Sequence, residues 1–386
     1  MNVPITISGG GIIGNYISLR LKKSNIKTLI IEKSEDSQDL PEGIRTLTLN
    51  NHSMAMLKAV GLSIEAADVN KIEVLDGEGT GNIQFSSEDI SEESLSHVIL
   101  FNDLRNELLG MCRDETIFSN EIQSIQNLNQ ESDPEVILKD GTSIKTKIIA
   151  GCDGRNSNVA KIASLPNSYS EYQQTALTFI VDVKGADQKT AYQVFSDRGI
   201  FALMPMPKKD STTNRYTVVW SIKNSELNKQ DAVDYIKDNL SHFESKLKVS
   251  LALDSEILKF GLSNHHFKNY VSGPVVLIGD AAHSIHPLAG QGINIGLADA
   301  DIFCEEIIKA YEKGISINEK TVLKKYEIRR KGMNLLMLKS MDFFVNIFST
   351  ENLYFRLLRN WGLKSVNKTT FIKAFFIKHA SGFNRI

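Results

Sequence analysis

The sequence predicts an α/β fold, α+β overall, with an inserted antiparallel sheet and a helical C-terminal region. Three observations support this prediction. A strand, a glycine-rich turn and a helix open the chain. Four segments with alternating apolar residues occupy the region from about 168 to 260, and every pattern after Asp299 is helical. At 386 residues the chain has room for two or three domains.

The N-terminal elements predict a βαβ unit: a strand at 4–8, a helix at 12–24 and a strand at 28–31. The turn Gly9-Gly10-Gly11-Ile12-Ile13-Gly14 fits G-x-G-x-x-G, whose glycines permit a tight turn, close approach to a pyrophosphate and helix–strand packing. Glu32, followed by Lys33, ends the second strand, where a carboxylate accepts hydrogen bonds from ribose hydroxyls. A Rossmann-like dinucleotide-binding domain is therefore expected.

The middle of the chain alternates between helical and strand patterns. A hairpin is predicted at 72–75 and 83–85. Its turn, GEGTG, imitates the glycine motif but precedes a strand. A helix at 104–112 and strands at 136–138 and 144–149 follow. The antiparallel sheet is predicted from strands at 175–183, 190–195, 200–203 and 216–222, with one helix at 230–249.

A second glycine-rich segment, GDAAHSIHPLAGQGINIGLAD at 279–299, follows an apolar strand and leads into a helix. An acid, Asp280, and bare backbone N–H groups at such a junction suit a ligand rich in hydroxyls and partial negative charge. A flavin with its ribityl chain fits, and the two glycine turns together favour one long cofactor held at both ends. His283 and His286 lack a Cys or carboxylate cluster, so packing near the cofactor is favoured over metal binding.

Composition favours some function classes over others. The net charge of −2 gives no case for nucleic acid, and the three cysteines fit reduced thiols in a cytoplasmic protein. No signal-peptide pattern and no apolar run of about 18 residues is found. Residues 352–386 carry seven Lys or Arg and no acid, whereas the remainder has a net charge of −9. This basic, apolar tail fits either an anionic membrane surface or packing on the protein or another subunit.

Two arginines and one Asp-Gly pair are ambiguous by themselves. Arg45 and Arg105 fit ordinary surface positions, but a fixed guanidinium also matches a pyrophosphate or the polar edge of a flavin. Asp153-Gly154 follows a strand and is more typical of a turn than of a binding site.

Taken together, the chain resembles the single-component flavin aromatic hydroxylases of the para-hydroxybenzoate hydroxylase-like superfamily, over nearly its whole length. The motifs are GGGIIG with Glu32, GIRTLTL around Arg45, the Asp153-Gly154 pair and GDAAHSIHP. Within that superfamily, HPLAGQGINIGLAD and Tyr326-Glu327-Ile328-Arg329-Arg330 resemble the ubiquinone-biosynthesis hydroxylases. One departure is Ala160, where the family usually has arginine; the next residue is Lys161.

The resemblance implies FAD as cofactor. Glu32 would bind the adenosine ribose, and Gly9, Gly11 and Gly14 the pyrophosphate. Arg45 would lie near the flavin and pyrophosphate, and Arg105 near the ribityl–adenine side. Gly279, Asp280 and Asn294 would contact the cofactor. The isoalloxazine edge would be bordered by Pro287, Leu288, Ala289, Gly290, Gln291 and Gly292.

The implied activity is ring hydroxylation of a polyprenylated phenol or quinone precursor in ubiquinone synthesis, with NAD(P)H and O2, through a peroxyflavin. No protein acid or base is singled out. Two alternatives stay open: a hydroxylase of a small soluble aromatic compound, and an accessory flavoprotein of a quinone-synthesis complex. Partners in such a complex, a homo-oligomer and the inner face of the plasma membrane are further expectations.

The predicted domain limits follow from the order of these motifs and patterns along the chain. The FAD-binding domain comprises residues 1–70, 98–166 and 262–312. The β-rich substrate-binding domain comprises residues 71–97 and 167–261. The helical C-terminal region spans residues 313–386.

Overall fold

The structure is a computed structural model that describes residues 1–36, 43–128, 132–207, 214–284 and 291–349. His286, residues 287–290 and the basic tail therefore lie outside the described residues. Within the described ranges the chain forms one mixed sheet, one largely antiparallel sheet, a small three-stranded sheet and the helices that cover them.

The first sheet is built around the N-terminal strand. Its eight strands are β1 (Asn2–Ser8), β2 (Thr28–Ile31), β8 (Thr116–Ile117), β9 (Ile122–Gln126), β10 (Glu135–Leu138), β11 (Ser143–Gly151), β18 (Val271–Ser272) and β19 (Val275–Leu277). The order is β18-β19-β11-β1-β2-β8, and β10 pairs with both β11 and β9. β1 runs parallel to β2 and β11, and β11 runs parallel to β19. The predicted βαβ unit is confirmed, and the carboxyl ends of β1, β2, β11 and β19 meet at one edge.

Helices pack on this sheet through buried apolar side chains. They are α1 (Ile12–Lys22), α2 (Asn51–Ala59), α3 (Phe101–Cys112), α4 (Asn158–Ile162), α7 (Gln291–Glu312) and α8 (Lys320–Ser349). α1 presents Ser18 to β2, where its hydroxyl lies 2.7 Å from that of Thr28. After α1, Asn25 adopts the left-handed conformation, which Asn tolerates, with φ of 58°. Among the described helices, none is long and apolar enough to cross a membrane.

The second sheet has nine strands. They are β5 (Lys71–Asp76), β6 (Asn82–Ser86), β12 (Asn167–Lys184), β13 (Thr190–Ser196), β14 (Gly199–Pro205), β15 (Arg215–Lys223), β16 (Ser250–Leu253), β17 (Leu258–Phe267) and β20 (His283–Ser284). The order is β20-β17-β12-β15-β14-β13-β5-β6, and β16 pairs with β12. The β5–β6 hairpin is confirmed, but β5 pairs with β13 in parallel, so the sheet is not wholly antiparallel as predicted.

The two faces of this sheet have different neighbours. One face packs on α6 (Ala232–Leu247), which follows the short α5 (Asn224–Leu227). Its core contains Trp220, Phe201 and Phe243, with the last two stacked at 4.2 Å between ring centroids. The other face meets a three-stranded sheet in the order β3-β7-β4, made of β3 (Thr46–Asn50), β4 (Ala67–Val69) and β7 (Ser96–Leu100).

Several elements depart from the sequence expectation. The three-stranded sheet and α2 were not predicted. β17 crosses the predicted domain limit at residue 262, and β20, inside the second glycine-rich segment, joins the nine-stranded sheet. The two predicted domains therefore share a strand and an edge, and the proposed limits stay a prediction.

Candidate cofactor site

The glycine turn after β1 combines two kinds of glycine. Gly9 has φ of +103°, and a Cβ there would lie 2.5 Å from the carbonyl oxygen of Cys152. A Cβ on Gly14 would lie 2.0 Å from the carbonyl oxygen of Gly9. A Cβ on Gly11, in contrast, would meet no described atom within 4 Å. Gly9 and Gly14 thus close the turn against the protein, whereas Gly11 borders open space.

The N-terminus of α1 faces that space. Gly11 is its N-cap, and no side chain caps the helix. Ile12 is buried and Ile13 packs against the core, so these two residues offer only backbone N–H groups to the opening. An uncapped helix N-terminus carries partial positive charge and suits a phosphate.

Glu32 lies where the sequence predicts, at the carboxyl end of β2 beside the glycine turn. Its carboxylate accepts hydrogen bonds from the Gly10 N–H at 2.6 Å and the Ser34 N–H at 2.9 Å. Lys33, the next residue, is exposed. The turn and the acid that the motif requires are therefore joined directly.

α3 carries Arg105 and packs on α1. The Cys112 thiol at the end of α3 donates to the Asn15 carbonyl at 3.5 Å. Arg105 lies two turns before Cys112 on the same helix. Its Nη1 is buried without a partner among the described residues. A buried guanidinium nitrogen without a partner is costly, so an anionic group here would satisfy it.

Asp153 serves the turn that its sequence context favours. Its Oδ2 accepts from the Asn158 N–H at 2.8 Å and the Val159 N–H at 3.1 Å, at the start of α4. Its Oδ1 is buried and has no partner in the described part of the chain. One oxygen is therefore structural, and contact of the other with the cofactor stays a prediction.

The α4 helix also carries Ala160, the position at which the chain departs from the family pattern. Ala160 is 2% exposed and belongs to the core, whereas Lys161 is exposed. Lys161 therefore occupies a different face of α4 and does not replace an arginine at position 160.

The second glycine-rich segment packs on the first. Gly279 has φ of +63°, and its Cα lies 3.5 Å from a Cβ built on Gly296 of α7. Ile13 of α1 fills the space beside both glycines, because its side chain lies 3.1 Å from the Cβ position of Gly296 and 3.3 Å from that of Gly279. This close approach joins the N-terminal halves of α1 and α7, although the motifs are 270 residues apart in sequence.

Asp280 projects from this junction. His265 donates from Nε2 to the Asp280 carbonyl oxygen at 2.9 Å, which fixes the backbone, while the residue itself is exposed. A fixed backbone with an accessible carboxylate suits the binding of ligand hydroxyls.

Arg45 lies in the same open cleft. Its guanidinium is 4.4 Å from the centroid of the Phe101 ring. The residue is exposed, yet protein surrounds it closely enough that desolvation lowers the pKa of Arg45, the charge of Asp280 opposes that shift and the charge of Arg155 adds to it. Arg155 was not predicted as a site residue. It donates to the Ser263 hydroxyl at 3.2 Å and follows the Asp-Gly pair, which was the only sequence signal for it.

Asn294 has a role that the sequence did not indicate. It is buried in α7, where its Oδ1 accepts from the Asn50 N–H at 2.9 Å and its Nδ2 donates to the Thr48 carbonyl at 2.8 Å. The side chain therefore fixes β3 against α7, and direct contact with the cofactor stays a prediction. Near the start of α7, a Cβ on Gly292 would meet no described atom within 4 Å, so this helix end is open.

Behind the second segment lies a buried polar network centred on Asp299. The carboxylate accepts from His283 Nε2 at 2.5 Å, Arg330 Nε at 2.6 Å and Asn334 Nδ2 at 3.0 Å. Complete burial raises the pKa of Asp299, but the neighbouring charges and hydrogen bonds outweigh burial and hold the pKa well below its usual range. His283 is thus bonded within the protein. In the described ranges, no group of three His, Cys, Asp or Glu residues is suited to a metal ion.

These features fit the two-ended site for a dinucleotide that the sequence predicts. That Glu32, Gly11 and Arg105 line an adenosine diphosphate end, and Asp280 with the start of α7 a ribityl and flavin end, stays a prediction. The open space at Gly11 and the unpaired nitrogen of Arg105 are what such a cofactor would fill.

Comparison with known proteins gives the family. The model of the FAD binding domain family matches residues 2–338, and the chain belongs to that family. The chain is 27% identical to the 3-demethoxyubiquinol 3-hydroxylase of Escherichia coli (strain K12), over 98% of each chain. It is also 27% identical to the mitochondrial ubiquinone biosynthesis monooxygenase COQ6 of Dictyostelium discoideum, over 98% of this chain and 91% of that protein.

A solved structure shares the fold. The p-nitrophenol 4-monooxygenase PnpA from Pseudomonas putida DLL-E4 matches with a TM-score of 0.80 and 16% identity, over 100% of both chains. At this identity the likeness concerns the fold, and it extends through both large sheets and α8.

Proposed function

We propose that this protein is an FAD-dependent monooxygenase that hydroxylates the aromatic ring of a polyprenylated phenol or quinone precursor in ubiquinone synthesis. NAD(P)H and O2 are the co-substrates: the ring gains one oxygen atom, the other leaves as water, and NAD(P)H is oxidised. One observation carries the proposal. Similarity to proteins named as hydroxylases or monooxygenases of ubiquinone and its biosynthesis runs through both sheets, so it includes the substrate side as well as the cofactor turn.

The residues of the chain would divide the cofactor between them. Gly9, Gly11 and Gly14 with the N–H groups of Ile12 and Ile13 would hold the pyrophosphate, and Glu32, followed by Lys33, the ribose. Bound FAD supplies the redox chemistry. The charged and polar groups proposed to contact the rest of the cofactor are Arg45, Arg105, Asp153, Gly279, Asp280 and Asn294, with residues 287–292 along the flavin edge.

The inner face of the nine-stranded sheet supports a neutral substrate. Register places nine uncharged side chains of β12, β14 and β15 on the face toward β3 and β7. Met204 receives a hydrogen bond from the Thr48 hydroxyl at 3.1 Å, and Ile180 packs against Leu100, so this face lies against the cofactor-binding part. The nine residues are Ala176, Thr178, Ile180, Ile200, Ala202, Met204, Thr217, Val219 and Ser221.

Such a face favours an apolar ring over an aromatic acid. Among these nine side chains a buried carboxylate would find only the hydroxyls of Thr178, Thr217 and Ser221 and no cation, so it would be costly to desolvate. Exclusion of water by the same side chains would keep the reacting groups in a medium where electrostatic effects are strong. The alternative of a small aromatic acid would require an arginine that can bind it; Arg215, on the same face by register, pairs with Asp254 at 3.0 Å.

The proposal also covers the cellular location, the protein partners and the route of the reductant. We place the protein in the cytoplasm, peripherally on the inner face of the plasma membrane through its basic tail, where a prenylated substrate resides. Partners of a quinone-synthesis complex or a second copy of the chain are the protein contacts that we expect. Ala160 leaves the route of NAD(P)H without the usual arginine, and Arg155 directly follows the Asp153-Gly154 pair.

The test has two parts. Mass spectrometry of the quinone precursors that accumulate when the gene is deleted should show a prenylated ring lacking one hydroxyl. Purified protein with FAD and NADPH should convert that precursor and leave a matched benzoic acid unchanged. Conversion of the acid alone would favour the small-substrate alternative. Retention of FAD without turnover, even with partner proteins present, would favour the accessory flavoprotein.

A further inference from the structure

The motif Tyr326–Arg330 on α8 contacts the segment that carries the flavin end of the site. The Tyr326 hydroxyl donates to the Leu277 carbonyl at 2.8 Å, at the end of β19. Glu327 Oε1 accepts from the Tyr270 N–H at 2.8 Å, just before β18. Both glutamate and tyrosine are buried, so α8 is fixed against the strands that precede the second glycine-rich segment.

Arg330 reaches further, through Asp299. One carboxylate oxygen, Oδ2, accepts from the Gly279 N–H at 3.3 Å and from His283 Nε2 at 2.5 Å. This single oxygen therefore binds both ends of the 279–283 loop, with Asp280 between them. The other oxygen, Oδ1, accepts from Arg330 Nε at 2.6 Å and Asn334 Nδ2 at 3.0 Å.

Arg330 and Asn334 also support each other. Arg330 Nη2 donates to Asn334 Oδ1 at 3.0 Å, and Asn334 Nδ2 lies 3.3 Å from the Tyr270 hydroxyl. Asp299 is fully buried and Arg330 is 14% exposed at its side chain. A buried carboxylate that holds its loop needs such a charged, directional partner, because an unpaired charge at this depth is strongly unfavourable.

We propose that Arg330 is a positioning residue for the flavin end of the FAD site. It fixes the orientation of the Asp299 carboxylate, which fixes the 279–283 loop and so directs Asp280 toward the cofactor. The proposal deepens the cofactor part of the proposed function and rests on FAD binding alone. It would stand unchanged if the aromatic substrate were a different one.

Arg329 provides a matched control on the same helix. It pairs with Glu306 at 2.6 Å and Glu305 at 3.1 Å, so it also joins α8 to α7. Neither glutamate contacts the 279–283 loop in the described hydrogen bonds. Arg329→Met therefore removes an α7–α8 ion pair of the same chemistry without releasing the loop.

The experiment compares Arg330→Met, Arg330→Lys and Arg329→Met in the full-length protein. FAD affinity is measured by titration of the apoprotein, and hydrogen–deuterium exchange is followed in a peptide spanning 277–284 without FAD. We expect R330M to raise the FAD dissociation constant at least tenfold, to speed exchange in that peptide and to alter the visible spectrum of any bound flavin. R330K should recover part of the affinity, and R329M should change it less than twofold.

A second comparison keeps the test decisive if R330M folds poorly. Asp299→Asn/Arg330→Met removes both charges, so neither is left unpaired. Because Asp299→Asn already removes the carboxylate through which Arg330 acts, we expect the double variant to bind FAD within twofold of Asp299→Asn alone. A further loss of fivefold or more in the double variant would show that Arg330 affects FAD by a route other than Asp299 and would overturn the proposal. Wild-type affinity and exchange in folded R330M would overturn it as well.

Discussion

At the scale of single residues, the glycines of the first turn have separable roles. Gly14 is required by the fold, since a Cβ there would overlap the Gly9 carbonyl at 2.0 Å. Gly11 has φ of −78° and open space around its Cβ position among the described atoms, so the fold tolerates a side chain there. The fold therefore does not require glycine at position 11, and the predicted pyrophosphate contact is the role that we expect for it. Comparing Gly14 with Gly11 therefore separates a glycine that the fold requires from one that we expect the ligand to require.

Gly11→Ala should leave the fold intact and weaken FAD binding. Its added methyl group would enter the space assigned to the pyrophosphate, so we expect the FAD dissociation constant to rise at least tenfold, about 1.4 kcal/mol. Thermal unfolding of the apoprotein should change by no more than about 0.5 kcal/mol. Fluorescence titration with FAD and calorimetry of the apoprotein measure the two effects.

Gly14→Ala is the matched comparison. The clash in the turn should cost about 1–3 kcal/mol or more of apoprotein stability, because a well-packed turn must shift to admit the methyl group. If G11A destabilised the apoprotein as much as G14A while FAD affinity stayed at the wild-type value, Gly11 would be structural and the cofactor placement would be wrong.

Two histidines of β17, the buried His265 and the half-buried His266, make stability depend on pH. Desolvation is the largest cause that lowers the pKa of His265 and of His266 to about 4, from 6.5. The unfolded chain therefore binds more protons between these values, and the free energy of unfolding should fall as the pH drops from about 6.5 to about 4. For His265, which is 1% exposed, the loss is up to about 3 kcal/mol. Urea unfolding across this pH range measures it.

His265→Asn should be less stable at neutral pH but should show a shallower fall with acid. Asp299 does not contribute in this window. Its pKa is lowered from 3.8, so its contribution is complete above that value and is lost only at lower pH. If the slope of the free energy of unfolding against pH were the same in the variant as in the wild type, His265 would not be a cause of the acid dependence.

At the scale of elements, the site depends on how closely α7 approaches α1. The contact is made by Gly279, Gly296 and the side chain of Ile13, and the glycines remove the methyl groups that would hold the helices apart. We expect the N-termini of both helices to face the cofactor, so that their partial positive charges act on the same ligand.

Gly296→Ala tests this approach. Its methyl group would lie 3.1 Å from Ile13 Cδ1, so α7 or Ile13 must shift by a few tenths of an ångström. Alanine also gains about 1 kcal/mol of helix propensity over glycine, which offsets the packing cost in the apoprotein. We therefore expect FAD affinity to fall three- to tenfold with nearly unchanged apoprotein stability.

Ile13→Val is the compensating change, because it removes the Cδ1 atom that the new methyl group would meet. Isothermal titration of G296A and of the I13V/G296A pair should show recovered FAD affinity in the pair. No recovery would mean that the effect of G296A arises elsewhere than at the α1–α7 contact.

At the scale of the whole molecule, the cofactor elements and the nine-stranded sheet are interlocked. β17 and β20 place residues of the second glycine-rich segment at an edge of the substrate-side sheet. The uncharged face of that sheet meets β3 and β7. Asn294 joins β3 to α7, and Arg45, just before β3, lies over the ring of Phe101 at the start of α3. A ring held on that face would thus lie between the sheet and the flavin end of the site.

The basic tail gives a prediction for the complete chain. Replacement of its seven Lys and Arg residues in 352–386 by Gln should abolish flotation with anionic vesicles, because each basic residue near such a surface contributes about 1 kcal/mol. Wild-type protein should float with anionic but not with neutral vesicles, and less at high salt. Equal flotation of wild type and a folded Gln variant would show that the tail does not bind membrane electrostatically.

Local patterns were sufficient for the elements around Gly9, Glu32 and Gly77, because period, turn residues and strand ends are encoded within about ten residues. They were insufficient for the parallel β5–β13 pair, whose partners are more than 100 residues apart. Arg155 was missed because its interaction with Arg45 joins segments that are far apart in sequence. The bonds of Asn294 to Asn50 and Thr48 were missed for the same reason, and its contact with the cofactor stays a prediction.

By itself, the sequence determined the βαβ start, the glycine turn with its acid, the hairpin turn and the identity of the cofactor class. These depend on backbone conformation and short spacing, which neighbouring residues control. Only the tertiary structure decided that Gly11 faces open space, that Gly296 allows α7 to approach α1 closely, and that Arg330 is linked to the 279–283 loop through Asp299. Those relations depend on contacts between segments distant in sequence, where close packing selects which side chains meet.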